Sequence, residues 1–450
     1  MLLRSANFLI YIYLIFCGCI LVFDLATLAL QKRREHVGQR QRRIWARVLD
    51  HIRSFELTGG GAERRRLALS LRRLMPLRAR LLSPVDDLDG ALYHALRRLP
   101  CLVAFQEELE SQLKTDPLWA QLLSFMQARR NVFARLGEHY LEKEPMVRAY
   151  FAWVVRKYSL GGPEPEDPMA RALLPMTVSN SIYSRENALQ ALYSFGGVEN
   201  VLRAYRQMSL AGIQHSPKLV TDGLLAFAGD QGALADTLWN AFGEFPPGYQ
   251  IAFVNFFRLS NGGYGARLLP LLEEPGTDRE LRIALLRYFR RYPYGPARPV
   301  LQAFLSPQGG EAGWEFGAVA ALSLSAYPGP DTEQALMRGL SHWNWYVRAN
   351  AAEAFLSLRA KAARKALVGA LRRKGEAVLP LLKSESRPSL ALKLAAGLRG
   401  KGWYVRLDQG GRLCAIPADD PALRAVLDGT DGFARDMLRY KLEAFALLGE

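Results

Sequence analysis

Apolar and polar positions along the chain change their rhythm three times. From Ala6 to Leu30 the only charge is Asp24, and Phe8 to Phe23 has none. As a helix rising about 1.5 Å per residue this run spans roughly 37 Å, enough to cross a hydrocarbon core of about 30 Å with some tilt. The pattern predicts one transmembrane helix over 6–30, with Tyr11 and Tyr13 at one interface and Asp24 near the far headgroups. From residue 35 to about 140 the apolar positions keep the α-helical period, as in RRIWARVLDHIRSF and GALYHALRRL. The Gly run at 59–61 and the acidic turn Asp86-Asp87-Leu88-Asp89 cut this stretch into helix pairs.

Beyond residue 140 the pattern repeats itself. Ile182 to Leu192 reads IYSRENALQAL and Trp345 to Phe355 reads WYVRANAAEAF, identical at Tyr183/Tyr346, Arg185/Arg348, Asn187/Asn350, Ala188/Ala351 and Ala191/Ala354. Val147-Arg148-Ala149, Leu281-Arg282-Ile283-Ala284 and Trp314 to Ala318 open similar stretches, with weaker starts near Leu219 and Tyr249. Successive starts are mostly about 30 to 37 residues apart, the length of two short helices and two turns. Pro246-Pro247-Gly248, Pro275-Gly276 and Pro328-Gly329-Pro330 punctuate the units. Alanine strips let one helix approach the next closely, and Leu and Phe at three- and four-residue spacing supply the buried face. Trp403-Tyr404-Val405-Arg406 copies the motif once more, but Asp408-Gln409-Gly410-Gly411 breaks it, so WYVRL and RLCAI predict a small β-hairpin near 403–416. Closing helices are expected over 420–428 and 431–447.

Charge sharpens the membrane expectation. The net charge is +16, and residues 32–98 hold 17 Arg or Lys against 7 Asp or Glu. Lys32, Arg33, Arg34, Arg40, Arg42, Arg43 and Arg47 follow the apolar run directly, whereas only Arg4 precedes it. The positive-inside rule then places the N-terminus outside and everything after residue 31 in the cytoplasm, with those seven side chains on anionic lipid headgroups at about 1 kcal/mol each. A cleaved signal peptide fits less well, because the run is long for one and the mature chain would begin polybasic.

Chemistry is thin by comparison. The four cysteines form neither a disulfide framework nor a metal spacing. The six histidines are dispersed, GGYG at 262–265 lacks the Lys-Ser/Thr of a phosphate loop, and no serine sits in a GxSxG elbow. His139 with Glu138 and Glu142 reads as a solvated helix face. No catalytic residue, cofactor or metal is therefore expected. Basic residues interleaved with aromatics mark a candidate partner surface at Arg287, Arg291, Trp343 and Trp345.

The hydrophobic-Val-Arg opening followed by small residues resembles the HEAT repeat, in the short bacterial form also called HEAT-like or phycobilisome-lyase-type, over residues 140–400. The resemblance implies an all-α chain folded as a right-handed α-solenoid, in which Arg185, Arg282 and Arg348 pack along the array and bond carbonyls or acids of adjacent units; Gly317 stands in that position in one unit. Taken together, the expected organisation is a transmembrane helix at 6–30, a basic juxtamembrane region and cap at 31–139, HEAT-like repeats at 140–400 and a closing hairpin with helices at 401–450. The expected role is a bacterial inner-membrane scaffold that positions a protein partner at the cytoplasmic face. Chains resembling this one are often encoded beside family 2 glycosyltransferases, so the resemblance implies a partner in envelope polysaccharide synthesis. Two alternatives stay open: a nucleic-acid-binding or repair HEAT protein, whose basic residues over 280–350 would converge on one concave face, and a lyase-type enzyme, which would need a deep pocket.

Overall fold

A computed structural model describes residues 2–113, 119–306, 313–373, 402–407 and 413–446. Its helices are α1 (Leu2–Thr58), α2 (Gly61–Arg72), α3 (Leu77–Leu82), α4 (Leu88–Leu96), α5 (Leu99–Leu113), α6 (Trp119–Ala128), α7 (Arg130–Leu141), α8 (Pro145–Lys157), α9 (Pro168–Leu173), α10 (Ile182–Phe195), α11 (Val198–Leu210), α12 (Pro217–Leu225), α13 (Gln231–Asn240), α14 (Pro247–Ser260), α15 (Gly265–Glu273), α16 (Arg279–Arg291), α17 (Ala297–Ala303), α18 (Trp314–Leu324), α19 (Pro330–Leu340) and α20 (Trp345–Arg373). Strands β1 (Trp403–Leu407) and β2 (Leu413–Pro417) follow, then α21 (Pro421–Leu427) and α22 (Gly432–Ala446). The repeated motifs do open helices: α8, α10, α12, α14, α16, α18 and α20 begin 30 to 37 residues apart. The last stretch of the expected repeats, 374–400, lies outside the described residues.

Contacts divide the chain into one unit of Met1–Gln214 with Ala226–Thr237 and another of His215–Leu225 with Leu238–Glu450. In the first, α1 runs unbroken from the apolar segment into the body. Its second half buries Trp45, Val48, Leu49 and Ile52 where it packs on α2, α5 and α6. The Trp45 ring meets Phe105 of α5 at 4.7 Å between centroids. Four such side chains at roughly 1.5–3 kcal/mol each fix this half of the helix firmly. Asp87 caps α4 by accepting the Gly90 amide at 2.8 Å, and Asp167 caps α9 through Ala170 at 2.9 Å. The helices α8 and α10 pack together, and each carries buried small residues, Ala149 and Ala152 on one and Ala188 and Ala191 on the other. Helix α10 ends on Gly196 at φ 73°, where a Cβ would lie 3.1 Å from the Gly229 backbone. Only glycine suits both the left-handed turn and the close approach.

In the second unit α12, α14, α16, α18 and α20 pack each on the next, while α15, α17 and α19 form a second row beside them. The alanine strips are buried in this row, at Ala252, Ala284, Ala320, Ala321, Ala351 and Ala354. Their close approach lets short polar side chains cross between helices. Thr221 Oγ1 reaches the Ala252 carbonyl at 3.1 Å, Ser323 Oγ the Leu286 carbonyl at 2.8 Å, and Asn350 Nδ2 the Ala318 carbonyl at 2.9 Å. Buried tyrosines add a second set. Tyr288 Oη accepts the Tyr264 amide at 2.9 Å, and Tyr327 Oη accepts the Tyr294 amide while donating to the Phe289 carbonyl, both at 3.1 Å. Burial pushes the Tyr288 phenol up to about 12, so these hydroxyls stay protonated.

The array closes as the broken motif predicts. Strands β1 and β2 pair antiparallel, Trp403 opposite Pro417 and Leu407 opposite Leu413. Arg406 of β1 forms two hydrogen bonds to the Glu353 carboxylate of α20, one of them at 3.2 Å. Arg359 of α20 joins Asp420, the cap of α21, and Glu333 of α19 at 2.9 Å.

Candidate functional site

Three of the repeated arginines share one structural use. Arg185 donates to the Ser179 carbonyl at 2.7 Å. Arg282 donates to Glu274 at 2.6 Å and Pro275 at 3.0 Å, and Arg348 to His342 at 2.8 Å and Trp343 at 2.6 Å. Each stands in the first turn of its helix and reaches back to the loop before it, satisfying carbonyls that the turn leaves without partners. The resemblance implies bonds to carbonyls or acids of adjacent units; the carbonyls these arginines meet belong to the loop before their own helix.

The basic residues after the apolar run sit on the same helix as that run. Lys32, Arg33, Arg40, Arg42, Arg43 and Arg47 are exposed; the Arg34 side chain lies outside the described residues. Arg42 pairs with Glu107 of α5. N-terminal to them α1 is apolar and bare: Tyr13 and Phe23 are each 67 % exposed, and Leu21, Val22, Leu25, Leu28 and Leu30 are also exposed. The side chains of residues 6–12, 14 and 15, nine of the 25 in the expected span, lie outside the described residues. Among the described residues no helix is long and apolar enough to cross a membrane. Where the bare segment meets the body, α1 and α5 border an open groove of about 1000 Å³ lined by Leu30, Val37, Gly38, Pro100 and Val103.

The four residues expected to share a partner surface fall at two places. Arg287 and Arg291 are exposed in the last two turns of α16, beside α14. Trp343 and Trp345 are exposed at the N-terminal end of α20, and there they join aromatics that the sequence pattern had not grouped. Trp314 of α18 stacks on Tyr346 at 5.4 Å with 21° between the rings. Trp345 lies edge-on to Tyr346 at 5.3 Å and 6.4 Å from Tyr440 of α22. Phe433 of α22 receives the Arg348 guanidinium at 4.7 Å. Tyr346, Phe433 and Tyr440 are each more than half exposed. The signal for Trp314 was in the chain, since WEFG and WYVR hold corresponding places; Phe433 and Tyr440 come from a helix outside the repeat.

Burial, hydrogen bonds and the Arg348 charge together set the electrostatics of this surface. Burial first, and then the Arg348 charge, hold His342 below its ordinary range, so its Nδ1 is free to accept the Asn344 amide at 3.0 Å. A hydrogen bond from Ser341, chiefly, holds Asp431 of the α21–α22 turn low and ionised. Histidines elsewhere, His94 and His139, are also depressed, by burial and then by neighbouring Arg or Lys. Among the described residues no three His, Cys, Asp or Glu side chains group as metal ligands would.

No family model, no curated protein and no solved structure matches this chain.

Proposed function

We propose that this protein is a membrane-anchored helical-repeat scaffold of the HEAT type, which holds a protein partner at the cytoplasmic face of the membrane. The observation that carries the reading is α1 itself. One helix exposes apolar side chains at Tyr13, Phe16 and from Ile20 to Leu30, then a basic collar, then packs a face into the body through Trp45 and Ile52. A helix that exposes a long run of apolar side chains costs free energy in water, whereas in a bilayer the same surface is satisfied. The collar meets anionic headgroups and sets the orientation. Because α1 is continuous, the helix that enters the lipid also holds the body to it.

The second half of the reading rests on the aromatic surface around Trp345. Exposed Trp and Tyr held by stacking, with an arginine among them, have the composition of the anchors that dominate protein interfaces. We assign the partner to a membrane-associated enzyme of envelope polysaccharide synthesis, a glycosyltransferase, on the resemblance of the repeats and span alone. The test is affinity capture of the full-length protein in detergent, beside a chain lacking residues 1–31. A stoichiometric membrane enzyme recovered with the full chain and reduced with the truncated one supports the reading. Recovery of nucleic acid, or of the same soluble proteins with both chains, overturns it.

A further inference from the structure

Three guanidinium groups lie near the C-terminal ends of the packed helices α14 and α16, and among the described residues none of them is paired with a carboxylate. Arg258 lies half-buried in the last turn of α14; Arg287 and Arg291 stand one turn apart on the exposed face of α16, the helix packed against it. Arg258 Nε is buried and has no hydrogen-bond partner. Burial, and then the charges of Arg287 and Arg291, pull Arg258 below the ordinary guanidinium range, with no acid opposing them. Among the described residues no carboxylate pairs with any of the three. Glu353, which feels the charge of the neighbouring Arg290, is already held by Arg406 and by Lys441 at 3.8 Å.

Helix dipoles explain part of this arrangement, since cations are favoured in a last turn. They do not explain Arg287, a full turn inside α16, nor a buried donor without an acceptor. Arg287 and Arg291 do reach into water, but Arg258 stays half-buried beside them, where water screens like charges less. Positive charges held together and partly desolvated destabilise the free protein, and that cost is recovered only when an anion arrives. Carboxylates of a docking peptide carry one charge each. Three forked donors around a half-buried floor match a compact group with two or more charges and several acceptor oxygens, which is a phosphate.

We propose that Arg258, Arg287 and Arg291 form a binding site for a small phosphate-bearing ligand, a phosphate monoester or diphosphate, with Arg258 as the floor and the α16 pair as the walls. The site is separate from the aromatic surface around Trp345 and does not depend on the membrane reading.

The experiment titrates the full-length protein in detergent with inorganic pyrophosphate, by calorimetry and by thermal melting, beside R287Q, R258Q and a control, R338Q, in the other row of helices. Saturable binding near one equivalent, weakened about tenfold or more by R287Q and by R258Q but not by R338Q, is expected. R287Q without pyrophosphate is expected to melt at or above the wild-type temperature, because a repulsion is removed. A 20-nucleotide single strand and hexaglutamate are run as separate arms. Binding of either without saturable binding of pyrophosphate overturns the proposal, as does pyrophosphate binding that R287Q leaves unchanged. If R258Q fails to fold, R287Q alone decides the outcome.

Discussion

Arg348 donates to the carbonyl oxygens of His342 and Trp343 while its guanidinium lies over the Phe433 ring. One side chain thus ties α20 to the loop before it and to the closing helix α22. R348A strands two carbonyls and one ring contact, so a loss of about 1–3 kcal/mol in unfolding free energy is expected, read from urea melts. R348K keeps the charge without the fork and is expected to recover less than half of it.

The loop that Arg348 holds carries a pH dependence at His342. The folded-state pKa of His342 lies below its ordinary 6.5, through burial first and Arg348 second. A depressed group stabilises the fold above its unfolded pKa and loses that contribution as pH falls through the folded value. Melting temperature is therefore expected to decline below pH 6.5 in the wild type, and to decline less in H342N. An identical slope in the two proteins would contradict the assignment.

Much of this was legible in the sequence, and the reason is local. The motif that places Arg185, Arg282 and Arg348 acts within its own helix and loop, so spacing alone located the helices; that the arginines bond carbonyls came from the resemblance to HEAT repeats. The hairpin was legible because Asp408 to Gly411 cannot continue a helix. The aromatic surface was only half legible: Trp345 and Tyr346 lie in the motif and Trp343 just before it, but Tyr440 and Phe433 arrive from α22, and no periodicity records a contact across that separation. The Arg258 cluster was missed because Arg258 itself reads as the polar end of an apolar helix. Its exceptional feature is the lack of an acid nearby, which only the packing of α14 on α16 reveals.

The pair between Glu353 and Arg406 is expected to govern the C-terminal closure. Burial acts to raise the Glu353 pKa, but the Arg406 hydrogen bonds and the charges of Arg406, Lys441 and Arg290 outweigh it and leave the carboxyl below its ordinary 4.5. The pair's contribution is present above about pH 4.5 and is lost as pH falls through the folded pKa. E353Q removes it at every pH, and because the carboxylate is one-third exposed a cost of about 1–2 kcal/mol is expected, smaller than for a fully buried pair. Amide exchange in β1 and β2 is the direct readout: it should accelerate in E353Q at pH 7 more than exchange in α14 does.

The aromatic surface separates binding from folding. Trp345 is 47 % exposed and Tyr346 56 %, so W345A and Y346A are expected to leave the melting temperature within about 2 °C of wild type. If this surface is the anchor for the partner, W345A should weaken capture by about 30-fold, the effect of roughly 2 kcal/mol at an interface hot spot. Equal capture by W345A and wild type would move the partner to another face.

The N-terminal helix offers the sharpest separation between anchoring by burial and attraction by charge. Leu21 and Val22 are exposed on the bare segment, and a lysine at the centre of a spanning helix costs about 2.5–3.5 kcal/mol. L21K with V22K therefore opposes insertion by about 5–7 kcal/mol, while leaving the packed half of α1 untouched. The double variant is expected in the soluble fraction after carbonate extraction, with a helical circular-dichroism spectrum close to the wild type. Replacing Arg40, Arg43 and Arg47 by glutamine removes headgroup attraction without touching the apolar surface, at about 1 kcal/mol per residue. That variant should remain in the carbonate-resistant pellet, because salt and pH strip charge-held proteins but leave buried helices in place. If the glutamine variant is released and the lysine variant retained, α1 lies on the membrane by charge alone and the span is wrong.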